Sequence, residues 1–232
     1  MSAIQQRIVT IFGGSRCAET SPEYAEARRA GQLLAEAGYT ICTGGYLGVM
    51  EAASRGARER GGRVLGIVVN QFKAEPNRYL TDKVATEHFY ERLQKLITRS
   101  VGFIALRGGM GTVTEMSLVW NKIQTGVINA RPLVLLGDCW PPIVESWRTH
   151  LVVTAGDVAM LDFAETPEQA IQIITEKSRG VNMNCSRCGM MLAAAAQFCG
   201  NCGAPVAALP PTAASAEIFG APEPQARRRL QN

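Results

Sequence analysis

Short apolar runs that alternate with helix-like stretches, three of them running into glycines, constrain this chain more than any other feature. "RIVTIFGGS", "YTICTGG", "RVLGIVV", "VGFIAL" and "RPLVLLG" each read as a strand. Their apolar residues are continuous, as expected for strands covered on both faces, and the intervening helices supply the covers. The pattern predicts an α/β fold: a Rossmann-like doubly wound parallel sheet with helices on both faces. With 232 residues, 47% of them hydrophobic, the chain suits one main domain plus an appendage.

Helix signals fill the gaps. Ser21 reads as an N-cap with Pro22 at the first helical position, and Gly38 stops that helix. Further helices are expected over residues 47–60, closed by Gly61 and Gly62, then over 87–99 and 112–124. "PPIVESWRTHL" and "TPEQAIQIITEKSR" give the last two, with a short strand at 158–161 between them. Residues 70–83 are polar and contain proline, which predicts a loop over a site. The domain is expected to span 1–180, followed by a cysteine module at 184–204 and an Ala/Pro-rich disordered tail at 205–232.

Glycines lie at three strand ends: Gly13-Gly14-Ser15, Gly44-Gly45-x-x-Gly48 and Gly108-Gly109-x-Gly111-Thr112. Ligands of doubly wound sheets bind at the carboxyl ends of strands, near the switch in strand order. Glycine lets a phosphate approach the backbone amides, and a helix N-terminus adds free N–H donors and partial positive charge. One such loop reads as a tight turn. Three at three strand ends read as a phosphate cradle. Thr112-x-x-Glu115 also matches a capping box, so Glu115 is expected to cap its helix locally as well as to stand beside the ligand.

Four of the seven cysteines form Cys185-x-x-Cys188, ten intervening residues, then Cys199-x-x-Cys202. Two such knuckles close a tetrahedral Zn2+ site and predict a small zinc ribbon. Four thiolates leave no open position, so the zinc is expected to be structural, and no cofactor is expected in catalysis. Cys17, Cys42 and Cys139 are scattered in apolar context and read as small buried hydrophobes.

The glycine motifs carry a family resemblance. "GGMGTVTE" resembles the PGGxGTxxE signature of the LOG (Lonely Guy) proteins, which are cytokinin-riboside-monophosphate phosphoribohydrolases long labelled lysine decarboxylase-like. "TGGYLGVMEAA" is similar to their second glycine motif and "FGGSR" to the end of their first strand. Arg92 lies sixteen residues before Gly108, where the family places a catalytic arginine. The resemblance covers residues 7–178 and implies hydrolysis of a nucleoside 5′-monophosphate to free base and ribose 5-phosphate. It implies Glu115 as the carboxylate at the anomeric carbon and Arg92 as the stabiliser of charge on the ribose or leaving-group side. Gly109, Gly111 and Thr112 would hold the 5′-phosphate, with Gly14, Ser15, Gly44 and Gly45 as the opposite wall and Gly108 in the same turn. It further implies a homodimer.

The sequence departs from the family pattern at Arg107, which replaces a proline and could add a phosphate contact, at Leu93, which replaces a lysine, and at Glu51, which replaces a glycine. A second reading keeps the fold and loses the chemistry: a carrier or sensor of a nucleotide-like or molybdenum-cofactor-like ligand. A third is an adaptor recruited by a protein partner of the ribbon. A PLP decarboxylase is not expected, since no lysine has the setting of a Schiff base.

The net charge of +4 gives no warrant for nucleic acid, and no basic–aromatic interleaving surrounds the cysteines. No apolar run approaches the roughly 18 residues of a membrane helix, and the first residues lack a signal-peptide core, so a cytoplasmic location is expected.

Overall fold

The computed structural model describes residues 7–98 and 100–179. The cysteine module and tail lie outside the described residues, as does Arg99. Seven parallel strands form one sheet in the order β4-β3-β2-β1-β5-β6-β7. They are β1 (Ile8–Phe12), β2 (Thr40–Thr43), β3 (Val64–Val69), β4 (Asp82–Thr86), β5 (Gly102–Ala105), β6 (Leu133–Leu136) and β7 (Asp162–Ala164). The helices are α1 (Pro22–Glu36), α2 (Val49–Glu59), α3 (Phe89–Thr98), α4 (Met110–Gln124), α5 (Trp140–His150), α6 (Ala155–Val158) and α7 (Pro167–Ser178).

Alternate residues of each strand serve opposite faces. Val9, Ile11, Ile41, Ile104, Val134 and Leu136 pack with α1, α2 and α7. Phe12, Cys42, Ile67, Phe103, Leu133 and Leu135 pack with α3, α4 and α5. Both faces of the sheet are therefore dry, which is why the strands read as unbroken apolar runs. No helix among the described residues is long and apolar enough to cross a membrane.

The local signals act as expected in α1. Ser21 Oγ accepts from Tyr24 N–H at 3.2 Å, and Gly38 takes φ +81° to end the helix. On α1, Tyr24, Ala27, Ala30, Gly31 and Leu34 are buried, and the helix packs against α2 with almost no side chain at two points. A Cβ at Gly31 would stand 2.1 Å from Ala53 O, and one at Gly56 would stand 1.9 Å from Arg28 O. Backbone meets backbone there. Gly56→Ala is expected to cost about 1–3 kcal/mol by overpacking, against the roughly 1 kcal/mol of helix propensity that alanine regains. Urea unfolding of the variant measures the difference; a gain in stability would show that the two helices can separate freely.

Two elements differ from the sequence reading. Residues 82–86 of the expected loop-and-helix region form β4, which pairs with β3 from Leu65↔Asp82 to Val69↔Thr86. It is an edge strand with Asp82, Lys83 and Ala85 exposed, so it carries no apolar run. Thr81 and Thr86 tie it to β3 through side-chain bonds to Val64 and Val68. The strand expected at 158–161 is not formed. Thr154 and Asp157 make a reciprocal capping box that starts α6, and the strand that follows is displaced to β7.

Candidate functional site

The strand order reverses between β1 and β5, so the crevice that such sheets offer to ligands lies beyond Phe12 and Ala105. The loop after β1 is stitched to both of its neighbours. Gly14 N–H donates to Arg107 O at 3.1 Å, and Val49 N–H donates to Gly14 O at 2.9 Å. The close approaches exclude side chains: a Cβ at Gly108 would stand 2.1 Å from Thr112 Oγ1 and 2.8 Å from Gly14 N. Gly48, at φ +68°, has Gly14 O only 2.4 Å from where its Cβ would stand. The three glycine motifs thus form one connected surface.

Helix α4 begins at Met110, with Gly109 as an N-cap that offers no side chain. Its first amides, from Met110 to Thr112, therefore face the crevice with their partial positive charge uncovered. The expected capping box is not made. Thr112 lies inside the first turn and Glu115 in the second, and the Glu115 carboxylate turns inward to Arg92.

Arg92 is the centre of the site. It sits on α3, 4% exposed, and its Nε–H donates to Ile67 O at 2.9 Å while Nη1 donates to Glu115 Oε1 at 3.1 Å. Its guanidinium carbon lies 5.9 Å from the ring centroids of both Tyr46 and Phe72. Burial pushes the Glu115 carboxyl above the usual range for glutamate, and the Arg92 charge opposes that shift without cancelling it. A carboxylate that is mostly buried, paired and held above its ordinary pKa suits an acid–base or charge-stabilising role.

These groups line a cavity of about 880 Å3, which also takes in Gly13, Gly14, Ser15, Gly108, Gly109, Gly111 and Thr112. The expected cradle residues are thereby brought together, with two exceptions. Gly44 and Gly45 do not line the cavity; they stand behind Arg92. A Cβ at Gly44 would lie 1.9 Å from Arg92 Nη2, and Gly45 turns the chain at φ +80° while its carbonyl accepts from Asn77 N–H. Gly44 thus leaves room for the arginine, whereas Gly45 serves the turn and lies against Val68, whose Cγ1 would stand 2.7 Å from a Cβ there. Arg107 lies at the rim, its side chain 71% exposed and its Nη1 3.7 Å from Glu23 Oε1.

Neighbouring side chains have other roles. Lys95 pairs with Glu91 and does not line the cavity, and neither His88 nor His150 reaches it. Met116 and Trp120 are core, the latter donating to Asp157 O. Cys17 is half-buried on the cavity wall, where burial pushes its thiol up; Cys42 is buried in the core and Cys139 half-buried away from the site. Sequence reasoning missed Tyr46, Phe72 and Phe89, which form the far end of the cavity. The polar loop expected over a site supplies Phe72, an aromatic residue whose setting in "NQFKAEP" was its one signal.

A family model described as the SLOG cluster4 family matches residues 6–171. A cytokinin riboside 5′-monophosphate phosphoribohydrolase of Mycobacterium marinum is 34% identical over 146 residues, covering 59% of this chain and 75% of that protein. An uncharacterized protein of Archaeoglobus fulgidus is 28% identical over 170 residues, covering 73% of this chain and 95% of its own length. The solved structure of a molybdenum cofactor binding protein from Rippkaea orientalis shares the fold at a TM-score of 0.62 and 24% identity, over 75% of this chain and 98% of that one. The matched span covers the whole sheet and every residue of the cavity. This chain belongs to the SLOG cluster4 family, among the LOG-like proteins.

Proposed function

We propose that the protein hydrolyses the N-glycosidic bond of a nucleoside 5′-monophosphate. The observation that carries this reading is the buried Arg92–Glu115 pair standing one helical turn from an uncapped helix N-terminus. A 5′-phosphate on the α4 amides sets the ribose beside Glu115, because a turn of helix rises about 5.4 Å. As the C1′–N bond breaks, its electron pair goes to the base and positive charge grows on the sugar. The Glu115 carboxylate stabilises that charge and takes a proton from the water that attacks C1′; the proton then passes to the departed base or to solvent. Arg92 holds the carboxylate in place and stabilises charge on the leaving-group side.

Relatives carry names in keeping with this chemistry. Besides the mycobacterial protein, a pyrimidine/purine nucleotide 5′-monophosphate nucleosidase of Escherichia coli is 30% identical over 141 residues, although those span only 31% of that protein. The test is ribose 5-phosphate release from a panel of nucleoside monophosphates. Release from at least one of them supports the hydrolase. Nucleotides that raise the melting temperature and are never cleaved would favour a carrier or sensor instead.

A further inference from the structure

The far end of the cavity is aromatic. Tyr46 and Phe72 have ring centroids 5.7 Å apart, and Phe72 and Phe89 are 6.2 Å apart, all tilted with respect to one another. Tyr46 is almost fully buried, yet Phe72 is 45% exposed. An exposed ring in the wall of a cavity is a surface waiting to be covered. The loop that carries it is held firmly. Phe72 N–H donates to Val69 O, and Asn77, itself buried, donates its backbone N–H to Gly45 O and its side chain to Tyr46 O. Gln71 Oε1 in turn accepts from Phe89 N–H, which fixes the third ring.

The chemistry of this end is as informative as its shape. Its lining residues are Tyr46, Met50, Phe72, Ala74 and Phe89. The one polar side-chain atom among them, the Tyr46 hydroxyl, is already committed: it donates to Val69 O and accepts from Val69 N–H. No side chain there is set to read the hydrogen-bonding edge of a base. What it offers is a flat face.

We propose that Phe72, supported by Tyr46 and Phe89, is the residue by which this site selects its base, and that it selects by ring area and not by edge groups. The proposal rests on the nucleotide reading above and assigns the base-selecting residue within it: Phe72, which takes a base by its ring face largely without regard to exocyclic groups. Arg92 lies between this shelf and Glu115, so a base stacked on Phe72 places its glycosidic bond over the charged pair.

The test is equilibrium binding to the full chain by calorimetry, in a Glu115→Gln background so that no ligand is consumed. AMP, IMP and GMP are expected to bind within about threefold of one another, and about tenfold tighter than CMP or UMP. Phe72→Ala is expected to weaken AMP about tenfold or more and to close most of the purine–pyrimidine gap, while Phe72→Trp restores both. Ribose 5-phosphate, which has no base, is expected to bind Phe72→Ala as it binds the parent.

Equal weakening of ribose 5-phosphate would mean that the loop merely collapsed and would overturn the proposal. So would a purine preference that survives Phe72→Ala, a hundredfold separation of AMP from GMP, or failure of every nucleotide to bind. If the binding pattern holds while the wild-type protein cleaves nothing, only the hydrolase reading falls.

Discussion

Glu115→Gln is expected to fold like the parent and to lose about 10³-fold in kcat on whichever nucleotide is cleaved, the range seen when a positioned carboxylate or a charge-stabilising group is removed. Glutamine keeps an oxygen to accept from Arg92 Nη1, so the buried hydrogen bond at 3.1 Å can persist. What vanishes is the negative charge beside the sugar cation. Because the sugar's positive charge develops only in the transition state, the loss is expected in kcat more than in KM.

The same carboxylate is expected to set the pH profile. In the proposed reaction Glu115 acts as its ionised form, and burial raises its pKa above the usual range. Activity of the wild type is therefore expected to fall, as pH drops, at a value above that of an ordinary glutamate. An acid limb in the ordinary glutamate range would show that the carboxylate is wet in the working enzyme.

Arg92→Ala is the second large effect, and it reaches stability as well as rate. The substitution leaves the Glu115 carboxylate, 13% exposed, with no counter-ion, and leaves Ile67 O without the Nε–H donor. Breaking a buried pair in this way costs about 3–5 kcal/mol at neutral pH. The direction with pH follows from linkage. Removing Arg92 takes away the one influence lowering the Glu115 pKa, so the folded value rises further above the unfolded one. The folded state then holds the proton more tightly, its stability declines as pH rises from the ordinary glutamate range through the raised value, and full stability lies below that window. The deficit of Arg92→Ala relative to wild type is thus expected to be largest at neutral pH and to shrink on acidification, as measured by urea unfolding at several pH values. A deficit independent of pH would mean that the ion pair contributes nothing and that only packing was lost. Arg92→Lys is expected to rescue poorly, since one ammonium group cannot reproduce the two diverging bonds of the guanidinium fork.

The fold was largely legible because its strands are buried on both faces: "RIVTIF", "VGFIAL" and "RPLVLLG" declare themselves by continuous apolar residues. β4 did not, because an edge strand with exposed Asp82, Lys83 and Ala85 has no such run and is held by threonine side chains to its neighbour's backbone. The T-x-x-D of Thr154 and Asp157 is a helix-start signal; the helix it begins ends at Val158, where the sequence reading starts a strand, and the strand itself begins only at Asp162.

In the candidate site, the glycine spacing pointed to residues that the fold brings to one cavity, with two exceptions. Gly44 and Gly45 share the pattern of a phosphate loop, yet Gly44 is small to make room for Arg92, a residue distant in sequence, and Gly45 is there for its positive φ beside Val68. Thr112 and Glu115 have capping-box spacing; but the N-cap of α4 is Gly109, three residues before Thr112, which frees Glu115 for Arg92. Arg92 itself was reached through family resemblance, since an arginine on a helix carries no local sign of burial. The aromatic shelf depends on a loop, residues 70–81, whose conformation is fixed by tertiary hydrogen bonds from Asn77, and no local pattern encodes those.

Cleavage at C1′ is read out by its two products. The wild-type chain incubated with AMP is expected to release adenine and ribose 5-phosphate in equal amounts, followed together by chromatography and phosphorus NMR, with neither product from Glu115→Gln. Adenosine with inorganic phosphate, or no product from AMP or any other nucleoside monophosphate, would contradict the account.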